Sequence, residues 1–118
     1  MDDDRFERCL LLDFYGELLT DKQRECFDLH YNEDLSLSEI AEELGISRQG
    51  VWDNIRRAES AMNAMEEKTG IISRFRESRA GLERLRLRLS SLTEMTQGAA
   101  REAAESALRE IEELMAKM

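Results

Sequence analysis

The side chains best suited to contact nucleic acid lie close together in the middle of the 118-residue chain. Arginine and glutamine can form paired hydrogen bonds to guanine and adenine in the DNA major groove, and further arginines contact phosphates. At the spacing of an α-helix, the residues of this cluster fall on one side of the helix. They are Arg48, Gln49, Trp52, Asp53, Arg56 and Arg57. The pattern predicts a surface that binds duplex DNA.

The residues that precede this cluster predict the element that would position it. Ser36 and Glu39 have the spacing of a capping box, which begins a short helix. Gly45 ends that helix, Ile46 fills the corner of the turn, and Ser47 caps the next helix. This order of residues predicts a helix-turn-helix, whose second helix presents its polar face to the major groove.

Two residues on the polar face leave a second interpretation open. Phosphates repel the carboxylate of Asp53, although it can accept a hydrogen bond from cytosine, and Trp52 is large for a groove. The alternative is that the helix-turn-helix is a three-helix corner kept for stability or for protein contacts.

The composition favours helices throughout the chain, because it includes no proline, only six glycines and a single valine. Apolar residues recur at helical spacing in three further stretches: Phe6, Leu10, Phe14 and Leu18; Leu82, Leu85, Leu89 and Leu92; and Ala104, Leu108, Ile111, Met115 and Met118. Leu11, Tyr15 and Leu19 widen the first of these stripes. We predict an all-α fold, with a helix-turn-helix domain over residues 1–69 and C-terminal amphipathic helices over residues 70–118. The C-terminal stripes suit either an antiparallel hairpin packed on the N-terminal helices or a dimer, and of these we expect a homodimer.

The charge balance limits how nucleic acid can be bound. The formal net charge is −9, from 17 basic and 26 acidic residues, which excludes nucleic-acid binding over the whole surface. A possible second basic patch is formed by Arg74, Arg76, Arg79, Arg84, Arg86 and Arg88. This patch would contact an RNA backbone or, alternatively, remain a solvated helix face that pairs with the acidic residues 1–35 of the same or another chain.

Several classes of protein are not favoured by the residues present. His30 is the single histidine, Cys9 and Cys26 lack the spacing of a metal site, and no glycine-rich phosphate loop occurs. We therefore expect no enzyme, no metal site and no cofactor, with both cysteines reduced. No apolar run approaches the length of a membrane span, and the acidic start is unlike a secretory signal. We expect a cytoplasmic protein without a membrane partner.

Three stretches of the sequence, residues 19–25, 35–41 and 47–51, together resemble region 4 of sigma-70-type factors. With residues 52–57 and 70–75 added, the chain is more similar to the YlxM family of bacterial helix-turn-helix proteins. The resemblance implies a sigma-region-4-like fold and a DNA-binding regulatory role. It also implies a link to the signal recognition particle, whose protein or RNA would be the partner if the helix-turn-helix is a docking surface. In either case it implies that Arg48, Gln49, Trp52, Asp53 and Arg56 form the recognition face.

Overall fold

The residues at the helix ends explain where the chain turns. Thr20 and Gln23, and likewise Ser36 and Glu39, exchange the two hydrogen bonds of a capping box. Gly45 then adopts the left-handed conformation, with φ of +68°, which a residue with a side chain rarely adopts. The capping box of Ser36 and Glu39 and the turn glycine predicted from the sequence are confirmed.

The structure, a computed structural model, describes residues 2–118 and shows six α-helices and no strand in that range. The all-α class is therefore confirmed. In chain order the helices are α1 (Asp2–Tyr15), α2 (Asp21–Tyr31), α3 (Leu37–Leu44), α4 (Arg48–Thr69), α5 (Ile71–Met95) and α6 (Gly98–Ala116), with a 3-10 turn at Gly16–Leu18 after α1. The chain forms two units, Met1–Ile72 and Ser73–Met118.

The first unit has a closed apolar core. Its largest fully buried side chains come from α2, α3 and α4, and they are Cys26, Phe27, Ile40, Val51, Ile55 and Met62. Leu10, Leu11 and Tyr15 add the buried side of α1. Four helices thus surround one core, and α4 lies against α1, α2 and α3.

The structure buries only one side of the predicted α1 stripe. Leu10, Leu11 and Tyr15 are buried, as predicted, whereas Phe6, Phe14 and Leu18 are exposed. The α-helix ends at Tyr15, so Leu18 lies in the 3-10 turn and not on the helix. Polar contacts to α4 fix the rotation of α1, because Arg8 binds Glu59 and the Tyr15 hydroxyl donates to Glu66. An apolar pattern alone does not reveal such contacts.

The second unit consists of α6 and of α5 from Ser73 onward. A two-residue link joins the helices, and the carboxylate of Glu112 on α6 acts electrostatically on Arg86 of α5. This proximity shows that α6 turns back along α5 in the antiparallel direction. The predicted leucine stripe of α5 divides: Leu82 and Leu89 are half-buried, whereas Leu85 and Leu92 are exposed.

Candidate nucleic-acid interface

The turn between α3 and α4 sets the direction of the candidate recognition helix. Ser47 is extended, and its Oγ accepts a hydrogen bond of 2.9 Å from the Gly50 backbone N–H. A Cβ at Gly50 would lie 3.1 Å from that Oγ, closer than side chains usually approach. Glycine at this position therefore leaves room for the serine cap. The predicted cap at Ser47 is confirmed.

One side of α4 fixes the helix to the core. Val51, Ile55, Ala58 and Met62 recur at helical spacing and are at most 1% exposed. They pack in the core that also buries Phe27 and Ile40. Since this side is fully buried, the rotation of α4 is determined, and the opposite side faces solvent.

The outward side of α4 contains the predicted site residues. Arg48, Gln49, Arg56 and Arg57 are exposed, Trp52 is 39% exposed, and Asp53 is half-buried. At about 100° per residue, Gln49, Trp52, Asp53 and Arg56 lie opposite Val51, whereas Arg48 and Arg57 lie at the two edges. The helix thus presents an amide and three guanidinium groups around a tryptophan.

A hydrogen bond within this face pairs Gln49 with Asp53. The Gln49 Nε2 donates to Asp53 Oδ1 at 3.0 Å, one helical turn away. The Asp53 carboxylate, which phosphates would repel, therefore has a hydrogen-bond partner. The bond also orients the Gln49 amide, whose Oε1 can still accept a hydrogen bond. The sequence analysis did not identify this pair, although the spacing of four residues would have indicated it.

A shallow groove lies where α3 meets the start of α4. It is lined by Leu37, Arg48, Gln49 and Trp52. Leu37 is half-buried and Trp52 is partly exposed, so the groove joins apolar surface to the cationic and amide groups of α4. Such a mixed surface can contact a thymine methyl group or an apolar side chain of a protein.

Polar contacts between α1 and α4 help to hold α4 in place. Arg8 bonds to Glu59 and lies over the Tyr31 ring, 5.0 Å from its centroid. Burial alone would lower the pKa of Arg8, but the bond to Glu59 and nearby negative charge outweigh it and raise the pKa. At the far end of α4, the Tyr15 hydroxyl donates to Glu66 Oε1 at 2.6 Å. The sequence pattern did not indicate these contacts, because the bonded residues lie 51 positions apart.

The six arginines of the second predicted patch lie on α5. The helix places Arg74, Arg84 and Arg88 on one side and the other three, Arg76, Arg79 and Arg86, on the opposite side. Arg86 is held by Glu83, with Nη2 to Oε1 at 2.6 Å, and this bond lowers the pKa of Glu83. The arginines therefore form two smaller groups.

The residues considered for other chemistry have structural roles in the part of the chain that the structure describes. The His30 Nδ1 lies 2.8 Å from the Leu35 carbonyl oxygen, and Cys9 and Cys26 are free thiols. Burial raises the pKa of Cys26. Among the described residues, no three carboxylate, histidine or cysteine side chains are grouped to hold a metal ion. None of the described helices has the length and apolarity needed to cross a membrane.

These features define a helix-turn-helix protein, since α3, a glycine turn and a serine-capped α4 occur in that order. Comparison with known proteins gives the family. Residues 3–102 match the family model described as "Putative helix-turn-helix protein, YlxM / p13 like", UPF0122. The chain belongs to this family, which confirms the resemblance found in the sequence.

Relatives from several bacteria carry the same family name. A UPF0122 protein of Thermoanaerobacter sp. strain X514 is 46% identical over 115 residues, which cover 97% of this chain and 98% of the relative. A UPF0122 protein of Acetivibrio thermocellus is 57% identical over 70 residues, which cover 59% of this chain and 60% of the relative. The names of both relatives state the family only.

Proposed function

We propose that this protein is a DNA-binding regulatory protein that inserts the first turns of α4 into the major groove of duplex DNA. The observation that supports the proposal is the division of α4 into two sides. Val51 and Ile55 are fully buried, whereas Arg48 and Arg56 are exposed on the outward surface. A recognition helix needs this division, because one side must be fixed for the other to reach the bases.

Each outward group has a proposed role. Arg48 and Gln49 stand at the start of the helix, where recognition helices contact base edges. Arg56 and Arg57 contact phosphates and fix the position of the helix along the groove. With a net charge of −9, the rest of the surface repels DNA, so contact is confined to this local face. This role would be carried out in the cytoplasm.

The test compares matched variants on a duplex selected from a random pool. Arg48→Ala with Gln49→Ala removes the base-reading groups and one positive charge. We expect at least about a tenfold loss of affinity, which corresponds to losing one or two base contacts. Arg109→Ala on α6 removes the same charge from an exposed position and should leave affinity unchanged.

A salt series separates base reading from phosphate contact. Arg57→Ala should weaken binding to all duplexes alike and reduce the slope of log K against log salt by about one. If the wild-type protein selects no sequence, and the Arg48 and Gln49 variant binds as the wild type does, the proposal is wrong.

A second candidate function is an accessory of the signal recognition particle that binds the particle's protein or RNA. The groove lined by Leu37 and Trp52 favours it, because an apolar groove beside charged groups suits a protein partner. The exposed Arg74, Arg84 and Arg88, on one side of α5, would suit an RNA backbone.

This candidate is tested by capture of the purified particle RNA and of the particle protein, each alone. Trp52→Ala should weaken capture of the protein, and Arg84→Ala should weaken capture of the RNA. If neither component is retained by the wild-type chain at moderate salt, the candidate is rejected.

A further inference from the structure

A hydrogen bond on the outward side of α4 fixes which way one amide group faces. The Gln49 Nε2 donates to Asp53 Oδ1 at 3.0 Å, and the bond lies on exposed surface. A carboxylate can only accept hydrogen bonds, so the nitrogen of the Gln49 amide faces Asp53 and the oxygen faces away from it. A glutamine without such a partner turns its amide freely. Asp53 therefore decides which hydrogen-bonding groups Gln49 offers to a ligand.

The fixed amide has a donor and an acceptor left for a base. The bond to Asp53 uses one N–H of Gln49 Nε2 and leaves the other N–H and Oε1. Adenine in the major groove offers N7 as an acceptor and N6–H as a donor, which these two groups complement. Guanine offers two acceptors, N7 and O6, so its O6 would face Oε1. A glutamine with both N–H groups available could donate to both guanine atoms, and the bond to Asp53 removes that option.

The groove beside Gln49 suits the thymine that pairs with adenine. Gln49 lines this groove together with Leu37 and Trp52. Trp52 is partly exposed and Leu37 is half-buried, so apolar surface adjoins the amide. The C5-methyl group of thymine lies in the major groove, where apolar side chains contact it. The amide and the groove thus favour the same A·T pair.

Cations close to Asp53 offset the repulsion between its carboxylate and DNA. Asp53 lines a shallow depression on α4 together with Arg56 and Arg57. Both guanidinium groups are exposed, and phosphates attract them. Since the arginines meet the phosphates, the carboxylate can stay bonded to Gln49 at a surface that faces DNA.

We infer that Gln49 recognises an adenine of an A·T pair, and that Asp53 is the positioning residue that makes this recognition selective. The inference rests on the proposed contact of α4 with DNA, and it adds the identity of one base and the role of the Asp53 carboxylate. Asp53 acts through Gln49 and not on the base. Its removal should therefore change which base is preferred rather than abolish binding.

The first test measures dissociation constants on the selected duplex and on a copy with one A·T pair changed to G·C. The pair to change is the one at which Gln49→Ala loses its base preference. Wild-type protein should bind the adenine duplex at least about fivefold more tightly. Asp53→Ala should bind both duplexes more tightly, because a negative charge is removed, and should lose most of the preference. Asp53→Asn should lose it too, since an asparagine amide pairs with either end of the Gln49 amide.

The matched control is Glu67→Ala. Glu67 is exposed on α4 about four helical turns, about 21 Å, beyond Asp53, so the variant removes the same charge far from Gln49. It should keep the wild-type preference for adenine.

The second test removes single atoms or groups from the base. In 7-deazaadenine the N7 acceptor is lost, and in purine the 6-amino donor is lost. Each replacement should weaken wild-type binding at least about threefold, the effect of one hydrogen bond, and should leave binding by Gln49→Ala unchanged.

The outcomes separate this inference from the proposed function. A wild-type chain that selects no sequence contradicts the proposed DNA binding itself. If the wild type selects a sequence but Asp53→Ala keeps the full preference for adenine, the inference alone is wrong. It is also wrong if the pair identified by Gln49→Ala is not A·T. An equal loss of preference in Glu67→Ala contradicts it as well, because the charge and not the bond to Gln49 would then set the preference.

Discussion

The two units of the chain differ in how completely they bury their apolar side chains. Residues up to Ile72 close a core around Phe27, Ile40 and Ile55, which are at most 1% exposed. In residues from Ser73 onward, even the inner leucines Leu82 and Leu89 are only half-buried. The first unit has enough apolar surface to fix its own helices. The second has two amphipathic helices, which are too few to cover each other.

The difference in burial bears on the location of the proposed DNA-contacting helix. A DNA-reading helix must be held rigidly, and α4 receives that rigidity from a core built by its own chain. The second unit buries its apolar side chains less completely, so its helices do not have the same support. The proposed DNA face thus lies in the unit whose helices are held by a closed core.

The largest effect should come from truncating the core of the first unit. Phe27→Ala should reduce the free energy of unfolding by about 3–5 kcal/mol, because a fully buried ring and its contact with Tyr31 are lost. Leu89→Ala in the second unit should cost about 1–2 kcal/mol, since that side chain is already half-exposed. Urea unfolding measures both values. Equal losses would contradict the contrast between the units.

A smaller effect is expected from the polar contacts that hold α1 to α4. Arg8→Ala should cost about 1–2 kcal/mol, because Glu59 and the Tyr31 ring lose a partly buried partner. Arg5→Ala, which removes the more exposed bond to Asp34, should cost less than about 0.5 kcal/mol. Thermal unfolding of the two variants makes the comparison. If Arg5→Ala loses more stability than Arg8→Ala, the exposed Arg5–Asp34 bond contributes more to holding α1 than the Arg8–Glu59 bond does.

The Ser47 cap of α4 should contribute about as much to the free energy of unfolding as an ordinary helix cap does. Ser47→Ala should cost about 1 kcal/mol by leaving the Gly50 N–H without its acceptor. Ser60→Ala, on the exposed middle of the same helix, should cost nothing or stabilise slightly. Hydrogen exchange of the first α4 amides would show the loss locally. Unchanged protection in Ser47→Ala would mean that the core alone sets the start of α4.

The smallest effect should appear on acidification. Hydrogen bonds from the Ser36 backbone and hydroxyl lower the pKa of Glu39 below its ordinary 4.5. The carboxylate of Glu39 therefore stabilises the fold at pH values above 4.5, and this stabilisation is lost as the pH falls through the lowered pKa. In Glu39→Gln the loss of stability between pH 6 and pH 3 should be shallower than in the wild type, measured by urea unfolding. If stability falls equally steeply with pH in Glu39→Gln and in the wild type, the charge of Glu39 contributes nothing to stability.

Local features of the fold could be predicted from the sequence, and distant ones could not. The caps at Thr20, Ser36 and Ser47 and the turn at Gly45 each depend on residues within one helical turn. The outward face of α4 followed from its apolar spacing. The rotation of α1 depends on bonds between residues 51 positions apart, which no local pattern shows.

The leucines of α5 show a second limit of sequence patterns. Leu82, Leu85, Leu89 and Leu92 recur at spacings of three and four, which is the pattern of a single buried stripe. The same spacing also fits a helix with two neighbours, and the hairpin covers only the side of Leu82 and Leu89. Periodicity gives the apolar positions but not how many helices cover them.

The central claim, that the first turns of α4 contact DNA, is tested most directly by amide chemical-shift mapping of the isotope-labelled full chain as a selected duplex is added. The account predicts that the largest changes fall on residues 47–57, and that they diminish in the Arg48→Ala and Gln49→Ala variant. Changes confined to α5 and α6, or no change with any duplex, would contradict it.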